Sequence, residues 1–231
     1  MNVYAISDLH LPGGQDKPMT KFGADWTDHF NRIKADWLEK VRPDDIVLLC
    51  GDLSWGMTLP DIHDDLWSLK DLPGEKVFIR GNHDYWWHGI SKVRAAAPDE
   101  TFHFLQNDCI RIGSIVICGS RGWTCPGSPD YTDQDEKLYL REAERFKLCF
   151  KEVHKVMQEG DTLIVCIHFP PFSLKNPGTL FTRTFEEEGA KKVVFGHVHG
   201  SFWFPMRQQR DDTEYILTSC DKLGFHLARI L

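Results

Sequence analysis

The 231-residue chain reads as an α/β protein with a parallel sheet covered by helices, on three observations. Short apolar runs recur with amphipathic helical stripes between them. These runs are apolar at successive positions, as in strands covered on both faces by other layers. The runs also end on glycine, aspartate, asparagine or histidine, so polar chemistry collects where each strand stops.

Val3 to Ile6 is the first strand, and the chain leaves it through Asp8, His10 and Pro12-Gly13-Gly14. Residues 12–26 are loop-like. Phe30, Ile33, Trp37, Leu38 and Val41 recur at helical spacing and Pro43 closes that helix. Ile46 to Cys50 is a continuous apolar strand ending at Gly51-Asp52. Pro60 opens a second helix with the stripe Ile62, Leu66, Leu69 and Leu72, which Pro73-Gly74 ends. A buried strand at 76–80 runs into Gly81-Asn82-His83-Asp84, and residues 89–97 suit a short helix. Phe102 to Leu105 is a short strand, and the runs on either side of Gly113 suit a hairpin. Gly119 to Asp130 is a Gly/Pro/Ser-rich loop. A long helix follows from about 133 to 158, with Tyr139, Ala143, Phe146, Phe150, Val153 and Met157 three and four apart. Thr162 to Ile167 is a strand ending at His168, a short helix is expected at Glu186–Gly189, and Lys192 to Phe195 is a strand ending at Gly196-His197-Val198-His199. Three strand-like runs close the chain, near 202–206, 214–219 and 225–230. With no helix between them they are expected to be antiparallel. No linker or repeat divides the chain, so one domain over 1–231 is expected.

Composition narrows the function. With 42% hydrophobic and 12% aromatic residues the chain can bury a large core. No apolar run approaches a membrane span, and the N-terminus lacks the basic start and cleavage site of a signal peptide. A net charge of −7 argues against a protein held to nucleic acid by phosphate contacts. The seven cysteines are scattered and form no C-x-x-C, which suits a reducing cytoplasm rather than disulfides or a thiolate zinc site. No feature argues for a particular oligomeric state.

In an open α/β sheet, ligands bind beyond the carboxyl ends of the strands. Asp8, Asp52, Asn82, His168 and His197 all fall at that end of separate strands. In extended chain, residues two apart face the same way, so Asp8 with His10 and His197 with His199 can each offer two ligands. Two carboxylates, one amide oxygen and several imidazoles suit Mn, Fe or Zn ions better than Ca²⁺ or Cu(I). Seven candidate ligands are too many for one tetrahedral ion and suit two ions sharing a carboxylate. Such a pair keeps net positive charge, which draws in a phosphate ester, and can activate a water for in-line attack.

Asp8-Leu9-His10, Gly51-Asp52, Gly81-Asn82-His83-Asp84, the lone His168 and Gly196-His197-Val198-His199 occur in that order over most of the chain. The set resembles the calcineurin-like metallophosphoesterases, and the Trp-rich flanks of the second and third motifs resemble a small bacterial subgroup of predicted phosphohydrolases. The resemblance implies a four-layer α/β/β/α sandwich of mixed sheets with helices outside. It implies that Asp8, His10, Asp52 and His199 hold one divalent or trivalent ion. Asp52, Asn82, His168 and His197 would hold a second, with Asp52 bridging. His83 would protonate the leaving group or bind the phosphate. Asp84 would orient His83 or cap the next helix. The implied activity is hydrolysis of a phosphomonoester or phosphodiester by a metal-bridging hydroxide. Alternatives are a non-catalytic interaction module on the same fold, or a nuclease, which the acidic charge disfavours. Arg121 either binds a substrate phosphate or pairs with an acid. Trp55, Trp86, Trp87 and Trp123 either line a pocket or pack in the core. The remaining histidines, His29, His63, His88, His103, His154 and His226, are read as surface or core.

Overall fold

A computed structural model describes residues 1–231. One sheet has the order β11-β1-β2-β3-β4, built from β1 (Val3–Ile6), β2 (Ile46–Cys50), β3 (Glu75–Ile79), β4 (Phe102–Leu105) and β11 (Ala228–Arg229). The second has the order β5-β6-β7-β8-β10-β9, from β5 (Asp108–Ile112), β6 (Ile115–Ser120), β7 (Thr162–Ile167), β8 (Lys192–Phe195), β9 (Arg207–Arg210) and β10 (Thr213–Leu217). Strands β1 to β4 are parallel, as are β6, β7, β8 and β10, while β5, β9 and β11 are antiparallel edges.

Strand alternation sorts the side chains into layers. Val3, Ala5, Leu48, Val77 and Ile79 of the first sheet meet Ile115, Ile117, Ile164, Cys166 and Val194 of the second in a shared inner core. Their neighbours face outward. Tyr4, Ile6, Val47, Leu49 and Phe78 pack under α1 (His29–Lys40), α2 (His63–Trp67) and α3 (Ile90–Ala95) through Ile33, Trp37, Leu66 and Val93. Val116, Cys118, Leu163, Val165 and Val193 pack under α4 (Asp133–Val156) and α5 (Leu180–Glu187). Because both faces of each sheet are covered, the strands read as unbroken apolar runs. The result is the expected four-layer α/β/β/α sandwich.

Local chemistry sets the helix ends. The Thr132 side chain and Asp135 form a capping box at the start of α4, with Asp133 and Glu136 also in its first turn. Thr179 and Thr182 do the same for α5. Several expectations shift. The second helix is only His63–Trp67 and the stripe to Leu72 continues in turns, so its buried leucines come from a short helix and the turns after it. The 186–189 helix starts earlier, at Leu180, where the capping box sits. Residues 202–206 form no strand; β9 begins at Arg207. The tail is not wholly antiparallel either. After its hairpin with β9, β10 lies parallel to β8 and carries its tip to the same edge as β1, where Ser219 bridges Ser7. No helix is long and apolar enough to cross a membrane.

Phe146 is fully buried between α4 and α5, edge-on to Phe181 and Phe185 at centroid distances of 5.7 and 4.8 Å. Phe146→Ala is expected to lower unfolding free energy in urea by about 3–5 kcal/mol, the usual result of emptying an aromatic core position.

Candidate metal centre

The expected ligands converge at the carboxyl edge of the two sheets. The β1–β2 pairing continues past both strands: Asp8 N–H donates to the Gly51 carbonyl (2.9 Å) and His10 N–H to the Asp52 carbonyl (3.1 Å). Asp8, His10, Asp52 and His197 all have left-handed backbone, with φ of 61°, 47°, 52° and 72°. Asp and His reach this region more readily than most residues, but the conformation is uncommon and strained. The expected reason for pairing Asp8 with His10, extended chain, is therefore incorrect: sharp left-handed kinks present these side chains. Gly81 and Gly196 leave the gaps they need. A Cβ at Gly81 would lie 2.1 Å from Asp52 Oδ1, and one at Gly196 would lie 2.4 Å from Asp8 Oδ2.

Two three-residue groups have ligand atoms within 4.8 Å of one another: Asp8, His10 and His199, and Asp8, Asp52 and His168. Asp52 Oδ2 lies 4.0 Å from His10 Nε2 and 3.5 Å from His168 Nε2. Asn82 Oδ1 lies 2.8 Å from His168 Nε2 and 2.9 Å from His197 Nδ1. His199 Nε2 lies 3.1 Å from Asp8 Oδ1. Outer contacts fix two imidazoles. His168 Nδ1 donates to the Cys50 carbonyl at 2.9 Å, and His199 Nδ1 donates to Asp221 Oδ1 at 2.8 Å. Each leaves Nε2 facing the cluster, the arrangement in which a histidine is oriented as a metal ligand.

Asp221 was not among the expected site residues. It follows Ser219-Cys220 just beyond β10, so the strand-tip rule finds it once β10 is known to be parallel.

Charges follow from this crowding. Burial opposes ionisation of Asp8 and Asp52, but the surrounding imidazoles hold both carboxyls below the usual range. Burial would lower His168 and His199, yet the facing carboxylates win and hold them up at about 9 and about 10. His10 and His197 are pushed down to about 4, chiefly by burial.

His83 lies on the open side. Its backbone N–H donates to Asp52 Oδ1 at 2.7 Å, and its ring packs 4.8 Å from Trp55 and 5.8 Å from His10, centroid to centroid. Its Nδ1 is buried without a hydrogen-bond partner. Asp84 does not bond to the His83 ring and does not cap α3, whose N-cap is Gly89. Instead its fully buried carboxylate accepts N–H bonds from Asp52, Leu53, Ser54 and Gly81 and from the Trp86 indole. Burial and the nearby Asp52 charge push it up to about 6, still ionised at neutral pH.

Arg121 and Trp123 are not brought to this cleft. The Arg121 guanidinium lies over the Trp123 ring, 4.8 Å from its centroid, and Trp123 donates to Asp135. Of the other tryptophans, Trp55 lines the cleft with its ring stacked on His10, while Trp86 and Trp87 are core. His29 braces the first loop, with Nε2 2.9 Å from the Leu9 carbonyl.

The cleft at the cluster holds about 280 Å³ and is lined by His10, Asp52, Trp55, His83, His197 and His199 among others. An adjoining groove of about 440 Å³ shares His197 and His199 and is walled by Phe169, Phe172, Phe202 and Phe204.

A family model described as calcineurin-like phosphoesterase matches residues 1–201. The chain belongs to the calcineurin-like phosphoesterase family. It is 24% identical over 230 residues to a 3′,5′-cyclic-nucleotide phosphodiesterase of Nostoc sp., covering 94% of this chain and 76% of that protein. It is 35% identical over 83 residues to the Gene 66 protein of Mycobacterium phage L5, and that match spans 36% of this chain and 40% of the phage protein. The solved phosphopantetheinyl hydrolase of Mycobacterium tuberculosis superposes with a TM-score of 0.54 at 15% identity, covering 100% of this chain and 95% of that one, a likeness of fold.

The donor set of this calcineurin-like phosphoesterase fits metal ions. Two imidazole nitrogens converge on one amide oxygen at Asn82, and both can be bare only if a cation replaces their protons. Divalent binding therefore displaces protons from His168 and His199. Mn²⁺ affinity by calorimetry is expected to rise with pH from about pH 6 to about pH 9, with proton release visible as a buffer-dependent enthalpy. A flat affinity over that range would contradict this electrostatic account.

Asp84→Asn keeps the shape but presents an amide N–H₂ to backbone donors. A loss of about 2–4 kcal/mol in urea-monitored stability is expected from the unsatisfied buried groups.

Proposed function

We propose that the protein hydrolyses a phosphate ester at a dinuclear metal centre in which Asp52 is the shared ligand. The observation that carries this reading is that one oxygen, Asp52 Oδ2, lies within 4.0 Å of both His10 Nε2 and His168 Nε2. Asp8, His10, Asp52 and His199 would hold one ion, and Asp52, Asn82, His168 and His197 the other. Asp8 lies close enough to His168 to contribute to the second set as well. When bound, two such ions supply an activated water and positive charge for the attacking and leaving oxygens.

The chain's own residues do the rest. Asp221 and the Cys50 carbonyl hold His199 and His168 in the tautomers that ligate. The Asp52 carboxylate fixes the His83 backbone, so His83 keeps a set position relative to the shared ligand. The His83 ring, exposed to the cleft and backed by Trp55, gives a proton to the departing oxygen. The aromatic groove beside His197 and His199 takes the organic part of the ester. The Nostoc relative's activity makes a 3′,5′-cyclic nucleotide the first diester to test.

Mn²⁺-loaded protein is expected to release nitrophenol from p-nitrophenyl phosphate or bis(p-nitrophenyl) phosphate. Asp52→Asn should abolish turnover, and His83→Ala should lower kcat by about 10²–10⁴-fold with a smaller change in KM. Metal-loaded protein without turnover on any monoester, cyclic diester or linear diester would favour the non-catalytic interaction module. An unchanged rate in His83→Ala would remove the assigned proton donor.

A further inference from the structure

A second cleft, of about 300 Å³, opens where the chain crosses from β4 to β5 beside α4. It is lined by four arginines, Arg80, Arg121, Arg141 and Arg145, and only one hydrophobic residue, Leu105. It shares no lining residue with the metal cleft. The chain as a whole carries −7, so this concentration of cations is not a consequence of composition.

Glu142 is the one acid among these guanidiniums, and it is fully buried. Arg145 satisfies it at 2.5 Å and Arg141 approaches at 3.3 Å. Arg121 is 3.8 Å away with its side chain only 17% exposed, and Arg80 makes no ion pair. Arg80 Nε and Arg121 Nε are both buried without a hydrogen-bond partner. Unpaired buried donors are costly, and four like charges around one carboxylate repel one another. Two amides also line the cleft. Gln106 Oε1 accepts from the Trp87 indole and Asn107 Oδ1 accepts from Ser120, so each presents its N–H₂ end elsewhere. Had these arginines served only to neutralise Glu142, Arg145 and Arg141 would have sufficed.

We propose that this cleft is a second anion site that binds a phosphate or pyrophosphate group through Arg80 and Arg121, with Arg141 and Arg145 at its rim. Guanidiniums match phosphate oxygens bidentately, and the polar walls offer little to an organic ring. The site lies on the same strand-tip edge as the metal ligands. Arg80 immediately precedes Gly81-Asn82, and the Arg121 carbonyl accepts the His168 N–H at 3.0 Å. The phosphate can therefore belong to a substrate with more than one phosphate group, an origin that rests on the phosphoesterase reading, or to a free anion, which does not.

Calorimetry with inorganic pyrophosphate on metal-free protein tests the site itself. Wild type and Asp52→Asn should bind alike, one anion per chain and more weakly as salt rises. Arg80→Gln/Arg121→Gln should bind at least about tenfold more weakly. Arg80→Gln alone serves as the second variant, since Arg80 makes no bond on which folding rests, and it should show a smaller loss. Equal binding by wild type and both variants, or no binding by wild type, would overturn the proposal. For the source, the KM of a nucleoside diphosphate is compared with that of its monophosphate. A ratio that rises in Arg80→Gln assigns the site to the substrate's second phosphate, and a constant ratio with lost pyrophosphate binding assigns it to a free anion. Intact pyrophosphate binding without turnover on any ester would refute the phosphoesterase reading and leave the anion site standing.

Discussion

A single buried carboxylate, that of Asp84, ties the tip of β2 to the turn after β3. Five N–H groups converge on it, three from the consecutive residues Asp52, Leu53 and Ser54. The Asp52 backbone is held in a left-handed conformation that an isolated chain would seldom visit. With that backbone fixed, the Asp52 side chain has one oxygen on the His83 amide and the other within 4.0 Å of both His10 Nε2 and His168 Nε2. Strain at the strand tips is thus balanced by charge-assisted hydrogen bonds beneath them, a common arrangement where function demands an uncommon backbone.

The same edge concentrates charge of both signs. Buried carboxylates and imidazoles face each other closely enough that His168 and His199 keep their protons well above the ordinary histidine range, while His10 and His197 lose theirs early. Two histidines held charged and two held neutral, around two ionised aspartates, describe a cluster whose protons stand in for cations. The layered core makes this possible. Apolar packing on both faces of each sheet fixes the strand ends against one another, which leaves the ligand side chains at the tips free for function.

Much of this was legible in the sequence, because a strand covered on both faces announces itself as an apolar run and the residue ending it is the one at the sheet edge. Asp8, Asp52, Asn82, His168 and His197 were found that way. What escaped lay beyond simple periodicity. Reading the tail as antiparallel put the end of β10 on the wrong edge, and so Asp221 was missed although it follows a strand like the others. The work of Asp84 could not be read from its neighbours, since three of its five donors come from the tip of β2, some thirty residues earlier. The arginine cleft joins a strand tip, a crossing loop and two residues of one α4 face, a meeting that only the tertiary fold creates. Left-handed kinks, rather than extended chain, present Asp8 and His10, and no side-chain pattern signals them.

The central claim is that one aspartate joins two metal positions. Electron paramagnetic resonance of the protein loaded with Mn²⁺ tests it most directly. A spin-coupled spectrum from two ions per chain, replaced in Asp52→Asn by an uncoupled one, is the predicted result. A spectrum of isolated Mn²⁺ in the wild-type protein at saturation would contradict it.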